Sequence, residues 1–327
     1  MSFDASLIGR SASAYAPAST GNVSVGFDLL GAALERIDGE SLGDTVHVTF
    51  AEKGSMKNSG TYAHVCPDNA EDNLAWQAYL LFLSRLKPED QTRFPAVDME
   101  LVKSLPVGSG LGSSACSVVA SLTALNRLFD NYFTDEELMV LMGEVEAGAS
   151  GDLHYDNVAP SYFGGLQLMS PHQDNPIIHL PTPKDWYWVM AFPGFSLPTK
   201  EAREVLPKQY DKSVAIDNAQ HLAAFVAYLY QGNEPLAAAT IKDLIAEPYR
   251  ASLIKGFTDN KTALLEQGAL AVGISGAGPT LFALTSEKEQ AEQFKRHLEQ
   301  NYVQPDGGFV HICRCADAGA KQIELSN

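Results

Sequence analysis

The sequence predicts a mixed α+β protein of two domains, and three observations carry that expectation. At 327 residues the chain is long enough to bury a sizeable core and to divide in two. Its first half interleaves strand-like alternation with helical patterns. Its second half runs strand, helix, helix, strand, an order that suits an α+β sandwich rather than a doubly wound sheet.

Residues 15–18 and 44–50 read as strands. Residues 73–86 read as a helix capped by Asp72. Val97-Asp98-Met99-Glu100-Leu101-Val102 alternates and reads as a strand, and 115–129 as a helix. Thr134-Asp135-Glu136-Glu137 is a capping box that opens a helix through about 146, which 147–152 then breaks. Residues 164–169, 177–180 and 187–192 read as strands, the last inside the apolar run 186–192. The polar, proline-bearing stretch 170–183 is the expected junction, giving domains 1–170 and 171–327. Helices are expected near 200–206, 213–230, 235–245 and 253–267. Strands 269–274 and 280–284 flank Ser275-Gly276-Ala277-Gly278-Pro279, and a helix over 288–300 precedes a strand over 308–314.

A net charge of −17 argues against a nucleic-acid partner, because phosphate backbones are bound by basic surfaces. No apolar run approaches the roughly 20 residues that a membrane span needs, so no membrane role is expected. Residues 1–10 lack a basic stretch followed by an apolar core, so a cytoplasmic location is expected. The four cysteines, Cys66, Cys116, Cys313 and Cys315, have no metal-ligand spacing and read as free thiols. Cys313 and Cys315 lie two apart in an expected strand and share one face as packing residues.

The strongest local signal is Pro106-Val107-Gly108-Ser109-Gly110-Leu111-Gly112-Ser113-Ser114-Ala115, between an expected strand and an expected helix. Glycine allows close approach of backbone to a ligand and takes positive φ at little cost. The free N–H groups and positive dipole end of the following helix favour an anion. The loop therefore reads as a phosphate cradle. It is not a Walker A loop, because no Gly-Lys-Ser/Thr closes it.

Two further glycine-bearing segments stand with it: 16–28, containing Ser19-Thr20-Gly21-Asn22, and Ser275-Gly276-Ala277-Gly278-Pro279-Thr280. The trio, in this order and spacing, resembles the GHMP kinases, which act on galactose, homoserine, mevalonate and phosphomevalonate. His154-Tyr155-Asp156-Asn157-Val158-Ala159-Pro160, Ile245-Ala246-Glu247-Pro248-Tyr249-Arg250 and Phe309-Val310-His311-Ile312-Cys313 are similar to the bacterial homoserine kinase branch. The similarity spans about 15–320. It implies a ribosomal-protein-like N-terminal α/β domain, a ferredoxin-like C-terminal α+β sandwich, an active site between them, and a homodimer. It further implies phosphoryl transfer from ATP to the side-chain hydroxyl of L-homoserine, on the route to threonine.

The resemblance also implies roles for single residues. The run 106–116, ending in Ala115 and Cys116, would wrap the ATP phosphates, and Asn73 would contact the base, although an N-cap role suits it as well. Ser114 and Glu146 would hold Mg²⁺, a cation that prefers hard oxygen ligands. Glu144 is the rival, and helical spacing alone does not separate the two. Asp28 would take the substrate ammonium, and Arg203 with Arg250 its carboxylate, for which guanidinium offers a bidentate fork. Asn157 and Asn22 would orient the hydroxyl and nearby phosphate, with His154 beside the site or simply a satisfied structural histidine. Asp156 lies in the same run, yet the resemblance implies transfer without a dedicated side-chain base. Many relatives read Ser-Ala-Asn where this chain has Thr20-Gly21-Asn22; Gly21 keeps the position small. A kinase for an uncharged sugar or a mevalonate would not need Asp28, Arg203 and Arg250 together. A catalytically dead relative should have lost Ser114, Glu146 or the loop glycines.

Overall fold

A computed structural model describes residues 3–150, 153–172 and 176–323. The first half contains β1 (Ser11–Pro17), β2 (Ser19–Gly21), β3 (Leu30–Arg36), β4 (Gly43–Ala51) and β5 (Ser55–Ser59). These are followed by α1 (Leu74–Arg85), α2 (Pro88–Gln91), β6 (Ala96–Val102), α3 (Ser113–Leu128), α4 (Asp135–Ser150), α5 (Val158–Phe163) and β7 (Leu166–Met169). The second half contains β8 (Ile177–Leu180), β9 (Tyr187–Phe192), α6 (Thr199–Glu204), α7 (Lys212–Tyr230), α8 (Glu234–Ala239) and α9 (Glu247–Arg250). It closes with α10 (Phe257–Glu266), β10 (Ala271–Ile274), β11 (Leu281–Thr285), α11 (Lys288–Asn301), β12 (Phe309–Cys315) and β13 (Lys321–Gln322).

The architecture is the expected mixed α+β one. One sheet runs β13-β1-β4-β6-β5, antiparallel except where β5 and β6 pair in parallel across α1 and α2. The other runs β10-β11-β9-β12-β3-β7-β8, with β2 also on β3. Strands 3 and 7 thus share a sheet with strands 8 to 12, and β13 returns to β1, so three strand pairings, β12 with β3, β7 with β8 and β13 with β1, join residues on either side of position 170.

Helix α3 is buried around almost its whole circumference, as an all-round apolar and small-residue helix should be. It packs on β1 and β4 and against α1, α4 and α5. Its far end is closed by Phe129, whose ring lies 5.0 Å from those of Phe50 and Phe82. Each such buried ring contributes on the order of 2–3 kcal/mol. The result is a fixed helix whose N-terminus carries the glycine loop. A second core, with Phe257, Phe294, Leu281 and Ile274, joins α10 and α11 to the other sheet.

Several expectations need correction. The cap of α1 is Asn73 and not Asp72: the Asn73 side chain accepts the Ala75 N–H at 2.9 Å. The capping box of α4 forms as expected, between Thr134 and Glu137. The helix does not stop at 146 but continues to Ser150; the remainder of the expected break, residues 151 and 152, lies outside the described residues. The helix expected over 235–245 stops at Ala239. There the Asp243 carboxylate accepts the N–H groups of Ile245, Ala246 and Glu247 and starts α9 instead. The helix expected from 253 begins at Phe257. Cys313 and Cys315 are both buried, and all four cysteines are free.

Candidate active site

The three glycine segments meet. The Ser19 N–H donates to Leu111 O at 3.1 Å, Gly276 N–H to Gly21 O at 3.2 Å, and Thr280 N–H to Ser109 O at 3.1 Å. The Ser275 hydroxyl bonds Gly110 O at 2.7 Å and the Thr20 hydroxyl at 2.8 Å. This closeness explains the glycines. Gly110 has φ +80°, and a Cβ there would lie 2.4 Å from Ser275 O. Gly112 has φ +63°, and a Cβ there would lie 2.2 Å from the Ser19 hydroxyl and 2.9 Å from Asn157 Oδ1.

Gly112 is also the N-cap of α3 and offers no side chain to the first-turn N–H groups. Those donors and the helix dipole face the loop, the arrangement that suits an anion. Leu111 and Ala115 are buried in the core, so only their backbone can serve a ligand. Cys116 is turned towards the first sheet, where its thiol bonds Ala16 O and accepts the Asp44 N–H. Burial pushes that thiol well above its ordinary range, so it packs rather than reacts. Ser113 bonds Leu105 O at 3.3 Å. From the second half, Ser196 reaches Val107 O and the Leu197 N–H reaches Gly108 O, buttressing the loop beyond Pro106. Asn73 has its oxygen on Ala75 and its amide on Asn58 Oδ1 at 2.9 Å, so the cap role is realised.

Ser114, in the first turn of α3, donates a hydrogen bond to the Glu146 carboxylate. Burial raises the Glu146 pKa, against a lowering from that hydrogen bond and from the Lys103 charge. Glu144 instead pairs with Arg85 at 2.5 Å and is solvated. Helical phase thus separates the two glutamates that sequence spacing leaves open.

The acceptor side is built from charges. Arg203 forks onto Asp28 through two hydrogen bonds of 3.1 and 3.0 Å. His154 Nδ1 lies 3.7 Å from the same carboxylate. Asn22 braces the Asp28 turn: its oxygen accepts the Asp28 N–H at 2.8 Å and its amide donates to Gly276 O at 2.9 Å. Asn22, Val23, Ser24 and Asp28 all have positive φ, a conformation that costs of order 1 kcal/mol or more per non-glycine residue. Arg250 is 2% exposed, donates to Ala202 O at 2.8 Å and to Gly276 O at 3.2 Å, and is held over the Phe27 ring at 5.3 Å. Arg203 lies over the same ring at 5.8 Å.

Asn157 joins the two sides. Its oxygen accepts the Ser19 hydroxyl at 3.0 Å beside Gly112, and its amide donates to Asp156 Oδ2 at 3.3 Å. Asp156 is buried against Gly21, and burial, then the Asp28 charge, push its carboxyl up to about 7. The structure thus brings together the loop, Ser114, Glu146, Asn157, Asn22, Asp28, His154, Arg203 and Arg250. Sequence reasoning missed Phe27 as the platform under both arginines, and it missed a buried Asp44–Lys103 pair under the loop. A lysine just beyond the end of an alternating strand gives no signal of burial.

With this geometry in place, comparison with known proteins is informative. The profile of the GHMP kinases N terminal domain matches residues 73–165, and that of the GHMP kinases C terminal matches 225–304. A homoserine kinase from Cytophaga hutchinsonii superposes with a TM-score of 0.86 at 34% identity, covering 96% of this chain and 97% of that one. The same fold recurs at lower identity. Mevalonate kinase from L. major, in complex with R-mevalonate, has a TM-score of 0.66 at 16% identity over 93% and 96% of the two chains. Mevalonate diphosphate decarboxylase from Staphylococcus aureus has 0.67 at 14% over 98% and 99%.

Proposed function

Because this chain belongs to the GHMP kinase family and is an ATP-dependent small-molecule kinase, we propose that its acceptor is L-homoserine. The products are then O-phospho-L-homoserine and ADP, on the route to threonine. The observation that carries this reading is the charge arrangement beside the loop. A carboxylate, Asp28, and two guanidinium groups, Arg203 and Arg250, gather around one aromatic platform and one strained turn. A zwitterion needs one anion for its ammonium and a bidentate cation for its carboxylate. A sugar or a mevalonate needs no such set. The similarity to a homoserine kinase at 34% identity supports the same choice.

The loop 106–116 would hold the ATP phosphates through backbone N–H groups and the α3 N-terminus. Ser114 and Glu146 fit Mg²⁺: a hydroxyl and a partly buried carboxylate, already in contact with one another, supply two hard oxygens. No group of three or more His, Cys, Asp or Glu among the described residues could hold a metal, so a cation here would draw its other ligands from phosphate and water. When bound, Mg²⁺ neutralises charge on the transferring phosphoryl group. Asn157 and Asn22 orient the acceptor hydroxyl, and Asp28, Arg203, Arg250 and His154 fix its amino-acid end. Asn73, besides capping α1, would contact the nucleotide base. Asp28 is committed to Arg203 and the ammonium, so the hydroxyl proton passes to phosphate or solvent and positioning supplies the rate.

No helix among the described residues is long and apolar enough to cross a membrane. A cytoplasmic homodimer completes the proposal. The test is ADP release with ATP·Mg²⁺ and L-homoserine, mevalonate or galactose side by side. Turnover with L-homoserine is expected; turnover only with one of the other two overturns the assignment.

A further inference from the structure

Beneath the phosphate loop lies a charged pair with almost no access to solvent. Lys103 follows β6, Asp44 opens β4, and their side chains are 3% and 0% exposed. The ammonium sits 2.5 Å from Asp44 Oδ2, 2.8 Å from Ser113 O and 2.8 Å from the Ser117 hydroxyl. An ammonium has three N–H donors, and three acceptors occupy them. Lys103 therefore has no donor for a nucleotide phosphate and is not a displaced Walker lysine.

Asp44 is as fully occupied. Its Oδ1 accepts the N–H groups of Ser104 at 2.8 Å and Leu105 at 3.1 Å, and Ser117 also bonds its Oδ2 at 2.7 Å. Ser104 and Leu105 are the residues immediately before the loop. Ser113 and Ser117 are in the first two turns of the helix that ends it. One pair of side chains thus ties both feet of the loop to the edge of β4. A buried ion pair is a weak source of stability, since well-packed apolar residues of similar volume often do as well. Its geometric consequence is specific: it fixes the span that residues 106–112 must bridge.

We propose that Asp44 and Lys103 are positioning residues that set the width of the phosphate loop and hence the affinity for ATP, without touching the nucleotide. The inference rests on the loop being the phosphate site, but not on the identity of the acceptor. It makes the missing Walker lysine intelligible: a lysine is present, and it shapes the cradle from below.

The test uses the double variant Asp44→Asn/Lys103→Met, which removes both charges and leaves neither buried alone. The carboxamide introduced at position 44 can still accept from residues 104 and 105, while the lysine's bonds to Ser113 O and the Ser117 hydroxyl are lost. The Kd for ATP·Mg²⁺, measured by calorimetry without acceptor, should rise about tenfold, as should the KM for ATP, with the KM for L-homoserine within about twofold. A merely structural role would lower Tm and the active fraction and leave the Kd of the folded protein alone. An unchanged Kd in a folded double variant overturns the proposal, as does a parallel rise in both KM values. Should the double variant not fold, Ser117→Ala removes one lysine acceptor while leaving the Asp44–Lys103 contact itself in place. It should weaken ATP binding about two- to threefold, and an unchanged Kd there also overturns the proposal. Absence of turnover with L-homoserine in the unaltered enzyme would instead sink the acceptor assignment and leave the ATP measurement intact.

Discussion

The proposed phosphate side and the proposed acceptor side of this site are built on opposite plans. On the phosphate side the contacts are backbone to backbone, the special residues are glycines, and the nearby charges are buried and paired beneath the loop. On the acceptor side the contacts are between charged side chains from positions 28, 154, 203 and 250, which only the fold brings together. Asp28 and Arg203, each about a quarter exposed, are already bonded to one another. A zwitterion entering there must share or divide an existing ion pair. On the proposed assignment the difference teaches that nucleotide recognition would be a matter of preformed shape, and acceptor recognition a matter of exchanging charge partners.

The largest expected effect would separate chemistry from both plans. Glu146→Gln keeps the shape and the bond to Ser114 while removing the anion. A drop in kcat of about 10³-fold is expected, the scale of losing several kcal/mol of charge stabilisation at the phosphoryl group. Turnover within about tenfold of the unaltered enzyme would mean that Glu146 holds no catalytic cation. Next comes the acceptor side alone. Arg203→Lys keeps the charge but loses the fork, so the acceptor KM should rise about 10- to 100-fold with the KM for ATP unchanged. A rise in both KM values would break the division. Gly110→Ala tests the shape side: a Cβ at φ +80°, 2.4 Å from Ser275 O, must part the loop from the 275–279 turn. An increase of about tenfold in the KM for ATP is expected, consistent with a strain of roughly 1–3 kcal/mol, with a small effect on the acceptor KM.

The same contrast governs what could be read from the sequence. The conformation of the loop 106–115 was legible because glycine, positive φ and a helix start are neighbours in the chain. Strand β3, Leu30–Arg36, was not legible, because it is buried on both faces along most of its length and shows no alternation. Helix α9 was hidden for another reason, since Asp243 starts it by taking three backbone N–H groups that propensity would give to a longer α8. On the acceptor side, Asp28, Arg203 and Arg250 were reached only through family resemblance, as nothing local marks a guanidinium as a ligand. The Asp44–Lys103 pair spans 59 positions and leaves no local trace at all. Glu144 and Glu146 were distinguishable only once helical phase was known, with Arg85 taking one and Ser114 the other.

The last expected effect is on stability rather than turnover, and concerns the seam between the two plans. Asp156 lies between Gly21 and Asn157, and burial and then Asp28 raise its carboxyl from an ordinary 3.8 to about 7, against a lowering by Arg203. A carboxyl raised on folding holds its proton in the native state at pH values where the unfolded chain has released it. Stability therefore falls as pH rises from the ordinary value towards 7, by about 1.4 kcal/mol for each pH unit crossed, and levels off above. Asp156→Asn removes this cost while keeping the size of the side chain. The variant should melt above the unaltered protein at about pH 8, and the gap should shrink on going down to about pH 5.5. Thermal unfolding of the ligand-free proteins at the two pH values measures it. A gap that does not change with pH would mean that Asp156 is ionised in the folded state, so that the seam belongs electrostatically to the charged acceptor side rather than to the neutral phosphate side.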